Sequence, residues 1–135
     1  MPFGPSALGL AYFTGIKLAG YSAAGAYLNR HEGVRRPAPI VFGGTRTLIG
    51  LAVGTGYMFT LGRFHIPDSG IAFLAGLLPV RFFEWLGVIW LFYRTLPHLA
   101  ERQPRYIALG IGWSFLLDLP AILAAFVLPG GVWIC

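Results

Sequence analysis

Residues 70–93 read GIAFLAGLLPVRFFEWLGVIWLFY, a stretch of 24 residues in which Arg81 and Glu84 are the only charges. Wound as an α-helix at 1.5 Å per residue it is about 36 Å long, enough to cross a hydrocarbon core of roughly 30 Å. The same test, carried outward along the chain, predicts three more spanning helices. Residues 3–28 are apolar apart from Lys17, residues 42–62 carry no charge past Arg46, and residues 106–128 are interrupted by Asp118.

The connections support that division. Residues 29–41 (NRHEGVRRPAPIV) are polar and basic, and Pro37 and Pro39 disfavour a helix there. Residues 64–70 (FHIPDSG) form a short turn-rich link of the kind that joins antiparallel neighbours, and residues 94–105 (RTLPHLAERQPR) read as a second basic loop. Pro129-Gly130-Gly131 marks the end of the fourth helix. The expected fold is therefore all-α: an integral membrane four-helix bundle with antiparallel up-down topology, forming a single transmembrane domain over residues 1–135.

Composition points the same way. The chain is 56% hydrophobic and 11% charged, with a mean hydropathy of +0.69, outside the usual range for a small soluble domain. Aromatic residues at 16% and 19 glycines suit interfacial anchoring and close helix approach. The net charge of +5 does not indicate nucleic acid, because the basic residues lie between apolar segments and form no continuous tract. With Cys135 as the one cysteine, an intramolecular disulfide and a cysteine metal site within one chain are excluded. Residues 1–10 carry no Lys or Arg, and Lys17 breaks the apolar run, so the first segment is expected to be retained and not cleaved as a signal peptide.

Arginine distribution sets the orientation. Arg30, Arg35, Arg36 and Arg46 flank the first connection and Arg94, Arg102 and Arg105 the third, against Arg63 alone at the second. By the positive-inside rule the first and third connections face the cytoplasm and both termini face outward. The expected location is a bacterial-type inner (plasma) membrane, crossed several times.

Lys17, Arg81, Glu84 and Asp118 fall inside the expected spans and their formal charges sum to zero. Counted from the outer helix ends, each lies roughly 15 to 21 Å deep, so the four share one layer. An isolated charge at mid-bilayer costs about 2.5 to 3.5 kcal/mol on insertion scales, which favours pairing inside the bundle. Arg81 and Glu84, three residues apart, are expected to meet directly, leaving Lys17 to pair with Asp118 across helices. Pro79 and Pro120 each stand two residues from a charge and free a backbone carbonyl nearby, as in the broken helices of transporter sites. The competing reading is a structural ion-pair network, with the longer cations snorkelling to an interface.

Two further features carry expectations. Gly50-xxx-Gly54 in the second helix, and Gly15, Ala19, Ala23, Gly20 and Ala24 in the first, predict close packing between these helices; Thr47, Thr55, Tyr57 and Thr60 allow a pore lining as the lesser alternative. Gly43, Gly44, Thr45 and Arg46, followed by Thr47, open the second helix, where free amides, hydroxyls and a guanidinium would converge on the phosphate of an anionic lipid. Arg30, His31, Arg35, Arg36, Arg94, His98 and Arg102 would surround it. The plainer reading of these arginines is as topology signals.

Enzymatic chemistry finds little support. Glu32 and Glu101 alone would serve a magnesium ion at the basic face, His31, His65 and His98 lie in connections and not at helix depth, and no serine stands in a GxSxG pattern. Neither a metal nor a cofactor is expected. The leading expectation is translocation of an ion, proton or small polar solute through the buried charges. The alternatives are a structural or accessory subunit of a larger membrane complex, and a lipid-modifying or lipid-binding protein using the basic rim. The expected partners are membrane lipids and either further copies of the chain or a larger complex, with no nucleic acid.

Overall fold

Gly33 fixes the first corner of the molecule. It takes φ 67°, a left-handed conformation that only glycine adopts cheaply, and the Val34 amide turns back to the Asn29 carbonyl at 2.9 Å. This stops α1 (Ala7–Glu32) a full turn beyond its expected end at 28. The computed structural model describes residues 7–64 and 70–124; the link through His65 and Asp68, the Pro129-Gly130-Gly131 stop and Cys135 lie outside these.

Three more helices follow: α2 (Pro39–Phe64), α3 (Gly70–Tyr93) and α4 (Leu99–Ala124). α3 has the bounds expected from its sequence. α2 and α4 begin earlier, because proline is less of a barrier than the sequence reading made it. Pro39 is the first residue of α2, where its missing N–H would have had no helical partner in any case. Pro104 lies inside α4 and forfeits only the bond to the carbonyl of exposed Ala100. The basic connection expected over 94–105 is thus mostly helix, with Glu101 in the first turn of α4 where an acidic side chain suits the helix dipole.

The four helices form an all-helical bundle, and among the described residues there is no strand. α1 packs on α2, α2 on α3 and α3 on α4, while α4 closes back on α1. The tightest seam is between α1 and α2. Gly25 faces Phe42, and a Cβ at Gly43 would come within 2.2 to 2.9 Å of Ser22 and the Leu18 carbonyl, so Gly43 is required by the close approach. Gly25 and Gly43 are small residues of this seam; Gly50, expected to share in it, stands beside the guanidinium of Arg46.

Along the axis the bundle divides in two. Toward the end where α1 and α3 finish, the interior is apolar and aromatic: Leu28, Phe42, Val88, Ile89, Tyr93, Leu99 and Ile107 are buried together, with Phe42 in ring contact with Trp85, Phe92 and Tyr93. Farther along, the interior is charged: Lys17, Arg46, Arg81, Glu84 and Asp118 are all buried. The flanks are apolar, with Leu48 68% exposed, Phe59 74% and Phe83 67%. Among the residues whose side chains are described, every other charged group (Arg30, Glu32, Arg35, Arg36, Arg94, Glu101, Arg102, Arg105) lies at the one end shared by the α1–α2 and α3–α4 connections. By length and composition one stretch of the described residues is apolar enough to cross a membrane, Ala75–Tyr93, where four had been expected. α1 and α2 dilute their apolar residues with glycine, threonine and charge.

Candidate functional site

The charged layer is built from all four helices. Asp118 on α4 accepts through both carboxylate oxygens, Oδ1 from Lys17 Nζ on α1 and Oδ2 from Arg81 Nη2 on α3. Lys17 also reaches the Ser114 carbonyl at 3.4 Å. Arg46 on α2 donates from Nη2 to Glu84 Oε2 on α3 at 2.6 Å.

The expected Lys17–Asp118 pairing across helices is present, but Arg81 and Glu84 do not pair with each other. Residues three apart differ by about 60° around a helix. Because α3 sits between α2 and α4, that angle is enough to tip Arg81 toward Asp118 and Glu84 toward Arg46. Among the described residues the layer therefore holds three cations and two carboxylates, a formal excess of one positive charge where zero is expected from the sequence.

The fifth member, Arg46, had been placed at the rim with Gly43, Gly44 and Thr45 as a phosphate cradle. Since α2 begins at Pro39, those residues lie past its first turn. Val41 and Phe42 already direct their amides to the Ala38 carbonyl at 2.9 and 3.1 Å, so the amides from Gly43 onward belong to the helical ladder. Thr47 donates its hydroxyl to the Gly43 carbonyl at 2.8 Å, and Arg46 is 1% exposed. No cradle of free amides forms at these positions. Thr55 and Thr60 likewise donate their hydroxyls back to the carbonyls of Leu51 and Gly56 within α2.

One turn nearer the apolar half lies a neutral tier that sequence reasoning passed over. Ser114 Oγ accepts from Tyr21 Oη at 3.1 Å and from Trp85 Nε1 at 2.9 Å, joining α4 to α1 and α3. The guanidinium of Arg46 stands over both rings, 4.7 Å from the Tyr21 centroid and 5.4 Å from that of Trp85, and that of Arg81 lies 4.3 Å from Phe115. A signal was available. Tyr21, Trp85 and Ser114 each stand four residues from a charge, Lys17, Arg81 and Asp118 respectively, and i,i+4 places each pair on one face.

Hydrogen-bond capacity in the layer is unbalanced. Nε and Nη1 of both Arg46 and Arg81 are buried without a partner, as is Ser22 Oγ. Asp118 accepts at both oxygens and Glu84 at Oε2, so among the described residues no acceptor reaches these four guanidinium nitrogens. Among the described residues no cluster of His, Cys, Asp and Glu has the makings of a metal site.

A second polar cluster closes the basic end. Arg102 Nη1 on α4 donates to both oxygens of Glu32 at 3.0 and 3.2 Å, and the Tyr106 hydroxyl donates to Glu32 Oε1 and lies 2.9 Å from His31 Nδ1. Burial pushes the Glu32 carboxyl up, but the bonds from Tyr106, Arg102 and His31 outweigh it and hold the group below its ordinary 4.5. The same bond to Glu32 raises Arg102 further. Beside it, Asn29 donates to the Pro37 carbonyl at 2.6 Å and accepts from the Tyr93 hydroxyl at 2.8 Å, fastening the α1–α2 connection to the end of α3. His31 thus serves a helix-to-helix contact, and His98 is exposed at the same end.

No family model, no curated protein and no solved structure matches this chain.

Proposed function

We propose that the chain is an integral membrane bundle, several spans in one plasma-type membrane, that passes an ion or a proton through its charged layer. One observation carries the reading: the shaft of the bundle is inverted relative to a water-soluble one, with five charged side chains inside and large apolar side chains outside. In water, Phe59, Phe83, Leu48 and their neighbours would be a broad exposed apolar surface, and in hydrocarbon they are matched to their solvent. Ala75–Tyr93 fits this, since only 33% of its most apolar window is buried in the bundle. The basic end then meets the cytoplasmic headgroups, with both chain ends on the other side. Buried ionisable groups at such depth are costly and mark routes for ions or protons.

The test is reconstitution. Wild-type chain in proteoliposomes should dissipate an imposed ion or proton gradient, and Asp118→Asn and Glu84→Gln should stop it while the protein still inserts. Flux that survives both substitutions would sink the proposal.

A second reading, an accessory subunit of a larger membrane complex, is favoured by the packing between the charged layer and the basic end. Phe42, Val88 and Ile89 are fully buried there, so side chains and not water occupy the axis. In that case the chain should co-purify from native membranes with larger subunits and show no flux alone.

A further inference from the structure

Between α1 and α4 a half-open cleft of about 330 Å³ runs along one flank. Trp85 forms its floor. The ring reaches that far because position 110 is glycine, where a Cβ would lie 2.3 to 2.6 Å from the indole carbons. Ala23 and Ala24 keep the α1 side low, and Tyr27, Tyr106 and Trp113 wall the rest. Each end of the opening is tied across the same two helices. At one end Trp113 Nε1 donates to the Gly20 carbonyl at 2.9 Å, and at the other Tyr106 meets His31 and Glu32. The ties are seven residues apart on α4, so the opening is about 10 Å long.

The lining is apolar and the mouth gives onto the apolar flank, but its basic end is different. Arg30 follows Tyr27 by three residues, Arg102 precedes Tyr106 by four and Arg105 precedes Leu109 by four. These spacings put all three arginines on the helix faces that line the cleft. With Glu32 they sum to a charge of +2. An occupant of this shape has an apolar tail for the cleft and an anionic head for the arginines.

We infer that the α1–α4 cleft holds one acyl chain of an anionic phospholipid whose phosphate rests on Arg30 and Arg105. This rests on the membrane reading above. It places lipid recognition at the flank, away from the Gly43–Arg46 segment that the sequence first suggested.

The test is native mass spectrometry of the full chain in mild detergent, offered phosphatidylglycerol and phosphatidylcholine with matched acyl chains. One phosphatidylglycerol should stay bound per chain under conditions that strip phosphatidylcholine. Ala23→Trp, which fills the cleft from a position exposed in the bundle, should cut retention about tenfold, the equivalent of 1.4 kcal/mol. The pair Arg30→Gln and Arg105→Gln should abolish the preference for phosphatidylglycerol, by a factor on the order of 30 if each cation contributes as cations do at anionic membrane surfaces. Thermal unfolding checks that each variant is folded. Should Ala23→Trp unfold the chain, contact quenching of Trp113 by a phosphatidylglycerol brominated on its acyl chain reads the same site in a chain that carries Trp90→Phe and Trp133→Phe. Equal retention of both lipids, unchanged retention in folded Ala23→Trp, or a cleft covered by a second copy of the chain would each overturn the inference. Membrane fractionation separates the two proposals: release of the chain by carbonate wash defeats the membrane reading, whereas an integral chain that retains no phosphatidylglycerol defeats the cleft alone.

Discussion

Asp118 and Glu32 are both carboxylates that bind donors from other helices, one in the middle of the bundle and one at its basic end. The Asp118 side chain is 3% exposed and takes Lys17 and Arg81, themselves buried. Glu32 takes Tyr106, His31 and an Arg102 that is 46% exposed. The difference teaches that the number of partners does not set the energetic weight of an ion pair. At the basic end water stabilises either partner if the other is lost. In the interior water makes no such compensation, so the charge left behind must be met by the groups already there.

The largest expected effect is therefore at Asp118. Asp118→Asn removes the carboxylate charge that Lys17 and Arg81 share and should destabilise the bundle by about 3 to 5 kcal/mol in a denaturant or thermal titration, on the scale for breaking buried pairs. Glu32→Gln should cost about 1 kcal/mol or less, and a comparable loss at both sites would break the comparison. Next comes Arg46 with Glu84. Glu84→Gln alone should cost about 3 kcal/mol by stranding Arg46, whereas the double replacement Arg46→Met with Glu84→Met should recover most of that, since a buried pair exchanged for apolar side chains is often neutral. A double mutant no more stable than Glu84→Gln would mean that the pair does more than neutralise itself.

Glycine offers a smaller contrast. Gly110→Ala presses a methyl into the Trp85 ring and should cost about 1 to 3 kcal/mol, while Gly112→Ala, with nothing within 4 Å, should stabilise α4 by up to about 1 kcal/mol. The smallest effect is the pH dependence at the basic end. The folded Glu32 carboxyl titrates below its ordinary 4.5, so the unfolded chain takes up the proton first as the medium is acidified. Its stabilisation is complete above that value and is lost as pH falls through the lowered folded value. Melting curves below pH 5 should be less steep in pH for Glu32→Gln than for wild type.

Much of the fold was legible because it rests on local pattern. Long apolar runs separated by basic, proline-containing connections predicted four helices, and α3 was read to its ends. The misplaced bounds of α1, α2 and α4 trace to Gly33, Pro39 and Pro104. A residue that terminates a helix at one offset is harmless at another, and the offset depends on where the first turn lies. Arg46 was assigned to the rim for that reason alone. The chemistry of Lys17, Arg81, Glu84 and Asp118 was visible as charge within apolar sequence, and the tier of Tyr21, Trp85 and Ser114 was visible only as i,i+4 companions of those charges.

By itself the sequence determined that this chain is helical and that charge lies deep within its helices, because both follow from residue type and spacing along one strand of polymer. Which charge meets which was decided by the tertiary structure. Helix order around the axis, with α3 between α2 and α4, sends Arg81 one way and Glu84 the other, brings Arg46 inward, and leaves the layer one positive charge in excess. Such pairings depend on angles between neighbours that no single helix encodes.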